Sequence, residues 1–184
     1  LPRCAAERMK RFADEVAGHA SAIYNVWTKD QQEARRGSAE LLGADESEIA
    51  FKTSTTAGLN QVALGMDWKP GDVVIAEERT FPANWLAWKN IAASRGAKLS
   101  AWPERNYRYE LGDLENRLKQ GGVKLVAATS ANFSTGFRQD MEEVGRLCKE
   151  YDALLCVDAI QTLGVFPLDV KKCHIDFLSA DSHK

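Results

Sequence analysis

The sequence predicts an α/β fold in which a mostly parallel sheet carries helices on both faces. Three observations lead there. Short, β-branched apolar runs alternate with longer amphipathic ones along most of the 184 residues. Gly, Pro or Asp marks each change of period. The stretches between successive strand candidates are long enough to be crossovers, which parallel neighbours require.

Taken in order, residues 4–20 (CAAERMKRFADEVAGHA) have helical spacing, and a second helix is expected from about Asp30 to Leu42, closed by Gly43. EIAFKT, at 48–53, alternates like a strand and feeds STTAGLNQVALGM, helical from about Thr56. After the turn KPGD, VVIAEE (73–78) reads as a strand, and FPANWLAWKNIAASRG as a helix ended by Gly96. AKLSAW (97–102) is a strand, LGDLENRLKQ (111–120) a helix, VKLVAATSA (123–131) a strand and MEEVGRLCKEYD (141–152) a helix. ALLCVDAIQ (153–161) and HIDFLSA (174–180) are the last two strands expected. Trp85 and Trp88, three apart on one helix, are expected in core or interface packing.

Composition narrows the function. The 24 basic and 26 acidic residues are spread through the chain and leave a formal charge of -2, so neither a nucleic-acid footprint nor a polybasic membrane surface is expected. No apolar run approaches the roughly 20 residues that span a bilayer. Cys4, Cys148, Cys156 and Cys173 lie far apart without a C-x-x-C pair, which fits reduced core thiols in a cytoplasmic protein. The expected partners are small molecules or other subunits.

Ligands of open α/β sheets gather beyond the carboxyl ends of the strands, and three features fall there. Ser54, Thr55 and Thr56 stand at a strand-to-helix junction, where free N–H groups and hydroxyls suit a phosphate; Ser and Thr are also ordinary helix caps. The Gly-Lys-Ser/Thr ending of a P-loop is absent, which argues against ATP and GTP. Asp158 closes the apolar run LLCVD and needs a cation or strong donors; a metal, a ribose or a structural cap would also serve. Lys184 follows IDFLSA. It is either a surface lysine or a partly desolvated amine able to form a Schiff base. Together the three match a phosphate, a cationic ring nitrogen and an aldehyde carbon. Pyridoxal 5'-phosphate (PLP) has all three groups.

From about Ile49 to Lys184 the sequence also resembles the class V aminotransferases. This group of fold-type I PLP enzymes includes cysteine desulfurases, isopenicillin N epimerase-like proteins and kynureninase. The resemblance rests on STTAGLN, SANFSTGFRQD, VDAIQTLG and DSHK, in the family's order. It implies an N-terminal helical segment over residues 1–48 and a PLP-binding large domain over 49–184. That domain is expected to be incomplete at its C-terminal end, with a small domain lying beyond. It implies cofactor contacts from Thr55 and Thr56 to the phosphate, from Asn132 near the 3'-oxygen and from Asp158 to the pyridine nitrogen. Ile160 is expected under the ring, Gln161 at the 3'-oxygen and His183 at the phosphate. Lys184 is the implied Schiff-base lysine and proton carrier, so Lys184 and Asp158 are the expected catalytic residues. A homodimer acting on an amino acid is implied as well.

Two positions depart from the desulfurase pattern. Phe81 stands where desulfurases carry a histidine stacked on the ring, and it cannot transfer a proton. Asp181 stands where they place a phosphate-binding serine, so it is expected to turn away, stay protonated or bind a donor such as the Thr55–Thr56 region. None of the four cysteines matches the desulfurase nucleophile, which in the family lies beyond the lysine. The resulting expectation is transamination, epimerisation or elimination on an amino acid. Cysteine desulfurase is the enzyme alternative, and a non-catalytic α/β binding module the alternative of another class.

Overall fold

The computed structural model describes residues 2–184. Five strands form one sheet: β1 (Val73–Glu77), β2 (Lys98–Trp102), β3 (Val123–Thr129), β4 (Leu154–Asp158) and β5 (Phe177–Ser179). Their order is β2-β1-β3-β4-β5 and every neighbouring pair is parallel. Six α-helices accompany them: α1 (Arg3–His19), α2 (Tyr24–Leu42), α3 (Thr55–Gly65), α4 (Pro82–Arg95), α5 (Leu111–Leu118) and α6 (Met141–Glu150).

Strand alternation divides the core into two layers. Val74, Ala76, Leu125, Ala127 and Cys156 face α3 and α4, where they meet Leu59, Ala63, Trp88 and Ile91. Ile75, Val126, Ala128, Leu155 and Val157 face α5 and α6, where they meet Leu114, Leu118, Val144 and Leu147. Helices therefore cover both faces, as the alternating pattern predicts. Burying each valine, leucine or isoleucine among them contributes about 1.5–3 kcal/mol before conformational entropy is counted. Trp88 is fully buried, edge-on to Trp68 at 6.5 Å, with Nε1 donating to Asn84 Oδ1 at 2.9 Å.

Some elements differ from the expectation. EIAFKT is not a strand. Arg35 donates to the Ile49 carbonyl and lies over the Phe51 ring at 5.2 Å, so the segment joins the α2 side instead of pairing with the sheet. The second helix begins at Tyr24, six residues earlier than expected, after a short 3-10 turn at Ala20–Ile23. Trp27 steadies that start: its Nε1 donates to Glu15 of α1 at 2.9 Å and its ring meets Phe12 at 5.1 Å. The last strand shrinks to three residues because only β4 pairs with it. Cys148, Cys156 and Cys173 are buried free thiols, but Cys4 is exposed on α1, a helix with no buried residue. Among the described residues no helix is long and apolar enough to cross a membrane.

Candidate functional site

The start of α3 is fastened to the end of β5. Ser54 caps the helix, its Oγ accepting from Ala57 N–H at 3.1 Å. Ser179 Oγ donates to the Thr55 carbonyl at 3.0 Å. A Cβ on Gly58 would lie 2.3 Å from that same Oγ, so only glycine permits this approach. The N–H groups of Thr55 and Thr56 precede the first intrahelical bonds and stay available. Thr55 is buried, and its hydroxyl oxygen has no hydrogen-bond partner among the described residues. Thr56 is exposed, its carbonyl accepting from the Asn60 amide at 2.9 Å. The sequence reading left cap or phosphate contact open at these hydroxyls; in the structure Ser54 is the cap.

Asp158 ends β4 and is almost fully buried. Its Oδ1 accepts from Ile160 N–H at 3.1 Å, its only side-chain hydrogen bond among the described residues. Burial raises its pKa, while the Ile160 N–H and the positive charge of Lys184 act in the opposite sense. Thus Lys184 and Asp158 lie at the same edge of the sheet. Ile160 and Gln161 follow, both half-buried.

Asp181 pairs with His183: Nδ1 of the histidine lies 3.0 Å from Asp181 Oδ1. This bond holds Asp181 below the usual carboxylate range, so the side chain is ionised. Of the three behaviours expected of Asp181, the structure shows a bond to a neighbouring donor, which is His183 instead of the Thr55–Thr56 hydroxyls. Lys184 is exposed, so the partial desolvation expected of its amine is not seen; its influence on Asp158 is electrostatic. A groove of about 680 Å³, walled in part by Phe51, Ser54, Gly58, Ser179 and Asp181, opens beside this edge.

Across the sheet, Asn132 is buried and fully engaged with protein. Its Nδ2 donates to the Arg79 carbonyl at 2.9 Å and to Tyr109 Oη at 3.3 Å. Its Oδ1 accepts from Ser134 and Thr135 N–H at 2.9 and 3.2 Å. Asn132 therefore ties the 132–137 loop to the segment before Phe81, and reaching a further ligand would require giving up a bond. Phe81 is about half exposed and packs edge-on against Phe133 at 5.4 Å.

Sequence reading missed Phe133, Tyr109 and, above all, Glu77. This glutamate is fully buried at the end of β1. It accepts from Thr129 N–H at 3.1 Å, from the Thr129 hydroxyl and from the Gln139 amide at 3.4 Å. Desolvation first raises its pKa to about 7, against the Thr129 and Gln139 bonds, and the charge of Asp158 adds to the rise. The signal was present: VVIAE ends on an acid as LLCVD does. Among the described residues no group of three or more His, Cys, Asp and Glu is arranged to hold a metal.

The sequence profile of the aminotransferase class-V family matches residues 1–184. The chain belongs to this family. Among class-V relatives, a probable cysteine desulfurase of Pyrococcus abyssi is 35% identical over 95% of this chain and 44% of its own length. The apo structure of a cysteine desulfurase from Thermococcus onnurineus NA1 is 33% identical, with a TM-score of 0.82 over 87% of this chain and 40% of that one. The cystine C-S lyase C-DES, solved with cysteine persulfide, shares the fold with a TM-score of 0.91 at 22% identity, covering 100% of this chain and 51% of its own. The chain therefore spans about half, or less, of the class-V proteins it matches.

Proposed function

We propose that the full-length protein is a PLP-dependent enzyme that transforms an amino acid through chemistry centred on Lys184 and Asp158. The observation that carries this reading is the buried Thr55 hydroxyl without a partner at the start of α3, at the same end of the sheet as the buried Asp158 with its single side-chain bond. The residues fit the cofactor. The Thr55 hydroxyl is buried without a partner beside free helix N–H groups, a vacancy in hydrogen bonding that a phosphate oxygen would fill. A buried carboxylate whose pKa is raised by desolvation gains from a cationic ring nitrogen.

When bound, PLP supplies a carbonyl carbon conjugated to an electron-accepting ring. The chain's own residues do the rest. Thr55 Oγ1 and the Thr55 and Thr56 N–H groups bind the phosphate. His183, paired with Asp181, would be a further donor to it. Asp158 holds a proton on the ring nitrogen, with its carboxylate fixed by Ile160 N–H. Ile160 would lie against the ring and Gln161 would donate to its oxygen. The Lys184 amine would hold the cofactor's carbonyl carbon, and its Nζ is the group that would carry the α-proton of the substrate. Phe81, packed edge-on against Phe133, would offer the ring an apolar face. The reading includes a helical segment over residues 1–48, a large domain over 49–184, and a homodimer working in the cytoplasm on an amino acid.

The named relatives support cysteine desulfurase as a second reading. Phe81 weighs against it, since a phenyl ring cannot transfer the proton that a histidine could.

The test uses full-length protein with PLP. A visible absorbance band should form, disappear on borohydride reduction and leave a covalent pyridoxyl mass on Lys184; Lys184→Ala should lack the adduct. No adduct on the wild-type protein would overturn the proposal. Sulfide or persulfide release from cysteine would select the second reading.

A further inference from the structure

The strand order reverses between β1 and β3, with β2 added on one side of β1 and β3 on the other. Such a reversal opens a crevice at the carboxyl ends of the strands, where open α/β sheets hold their ligands. Glu77 sits at that point. By alternation it shares the α5/α6 face with Ile75, yet its carboxylate hooks over the end of β3 to the N–H and hydroxyl of Thr129. Thr129 is the register partner of Asp158, so one β3 residue separates the two acids.

The groups around Glu77 are few. Thr129 faces it from β3, Gln139 from the segment before α6, Asp158 from β4 and Tyr109 from the segment before α5. Trp102 is its register partner on β2. None of these is a cation. Gln139 also donates its backbone N–H to the Ser130 carbonyl at 3.1 Å, and Ala131 bridges Arg138, which closes the 130–139 loop that carries Asn132 and Phe133. Glu77 is thus bonded to the base of the loop and lies one β3 residue away from the acid at the end of β4.

We propose that Glu77 is a positioning residue of this site: through Thr129 and Gln139 it fixes the 130–139 loop, and it gains or loses its proton according to the net charge at Asp158. The identity of the cation that changes this charge rests on the PLP reading above. A ligand that brings positive charge to Asp158 makes ionised Glu77 more favourable. By reciprocity, raising the pH through the titration of Glu77 tightens that ligand. Each unit by which the ligand lowers the Glu77 pKa corresponds to about a tenfold gain in affinity across the step.

The experiment compares full-length wild type with Glu77→Gln. PLP binding is titrated by absorbance from pH 5.5 to 9, and the Glu77 carboxyl is followed by ¹³C NMR in the apo-protein. Wild type should bind PLP more tightly above a step near 7, and Glu77→Gln should lose that step while keeping its circular dichroism spectrum. The apo carboxyl should titrate near 7, and lower in Asp158→Asn. If Glu77→Gln does not fold, Thr129→Val replaces it: losing the hydroxyl that favours the charged form should move the step upward. A Glu77→Gln profile that superimposes on wild type, or a carboxyl titration unchanged by Asp158→Asn or Thr129→Val, overturns the proposal. If wild type binds no PLP at any pH, the proposed function fails, and the NMR titration alone decides the role of Glu77.

Discussion

Replacing Thr55 with valine exchanges a hydroxyl for a methyl at nearly constant volume, and the structure gives the two consequences opposite signs. In the apo-protein Thr55 is buried and its oxygen has no partner. Such an orphan costs about 1–3 kcal/mol, which a methyl removes. Threonine and valine have similar helix propensities, so α3 itself changes little. Apo Thr55→Val should therefore be more stable by about 1–3 kcal/mol, seen as a higher urea midpoint with an unchanged slope. With PLP the variant lacks a hydrogen bond to a charged phosphate, worth about 1.5–3 kcal/mol, so Kd should rise roughly ten- to hundredfold. Thr55→Ser, which keeps the hydroxyl, should bind nearly as wild type. The reasoning is refuted if Thr55→Val lowers the apo midpoint or leaves the Kd for PLP unchanged.

Gly58→Ala would place a Cβ 2.3 Å from Ser179 Oγ, and the strain should cost about 1–3 kcal/mol and weaken cofactor binding. Adding Ser179→Ala should recover most of the loss, and a double-mutant cycle in urea that shows no coupling would rule out this contact as the cause. Glu77 titrates near 7 in the folded protein against an ordinary 4.5, so between these values the folded state holds more protons than the unfolded one. Stability from this group is complete below 4.5 and lost as pH rises through 7, by at most about 3 kcal/mol. Urea midpoints from pH 5 to 8 should fall more steeply in wild type than in Glu77→Gln, and parallel profiles would contradict the assignment.

The fold was largely legible because burial imposes its period on the residues. VVIAE, KLVAAT and LLCVD are apolar on both faces because helices cover both faces, and the segments between them carry the 3.6-residue stripe. EIAFKT was misread because alternation records which side chains are apolar and not whether a neighbouring strand exists; Arg35 took the carbonyl that a ladder would have used. Trp27 and Glu15 lie twelve residues apart, beyond the reach of a helical period, so the early start of α2 was invisible.

Asp158 and Lys184 announced themselves as polar residues closing apolar runs, and Thr55 as a hydroxyl at a strand-to-helix junction. The sequence by itself determined the class of fold, the family and the edge of the sheet where polar groups collect, since local period and short motifs are properties of neighbours along the chain. Only the tertiary structure decided what those groups touch. It left the Thr55 hydroxyl unpaired, spent the Asn132 amide on its own loop, gave Asp181 to His183 and set Glu77 one β3 residue away from Asp158. The physical reason is that desolvation and hydrogen bonding depend on which strands become neighbours. The crossover between β2 and β3, which brings residues 77, 129 and 158 together, exists only once the sheet has formed.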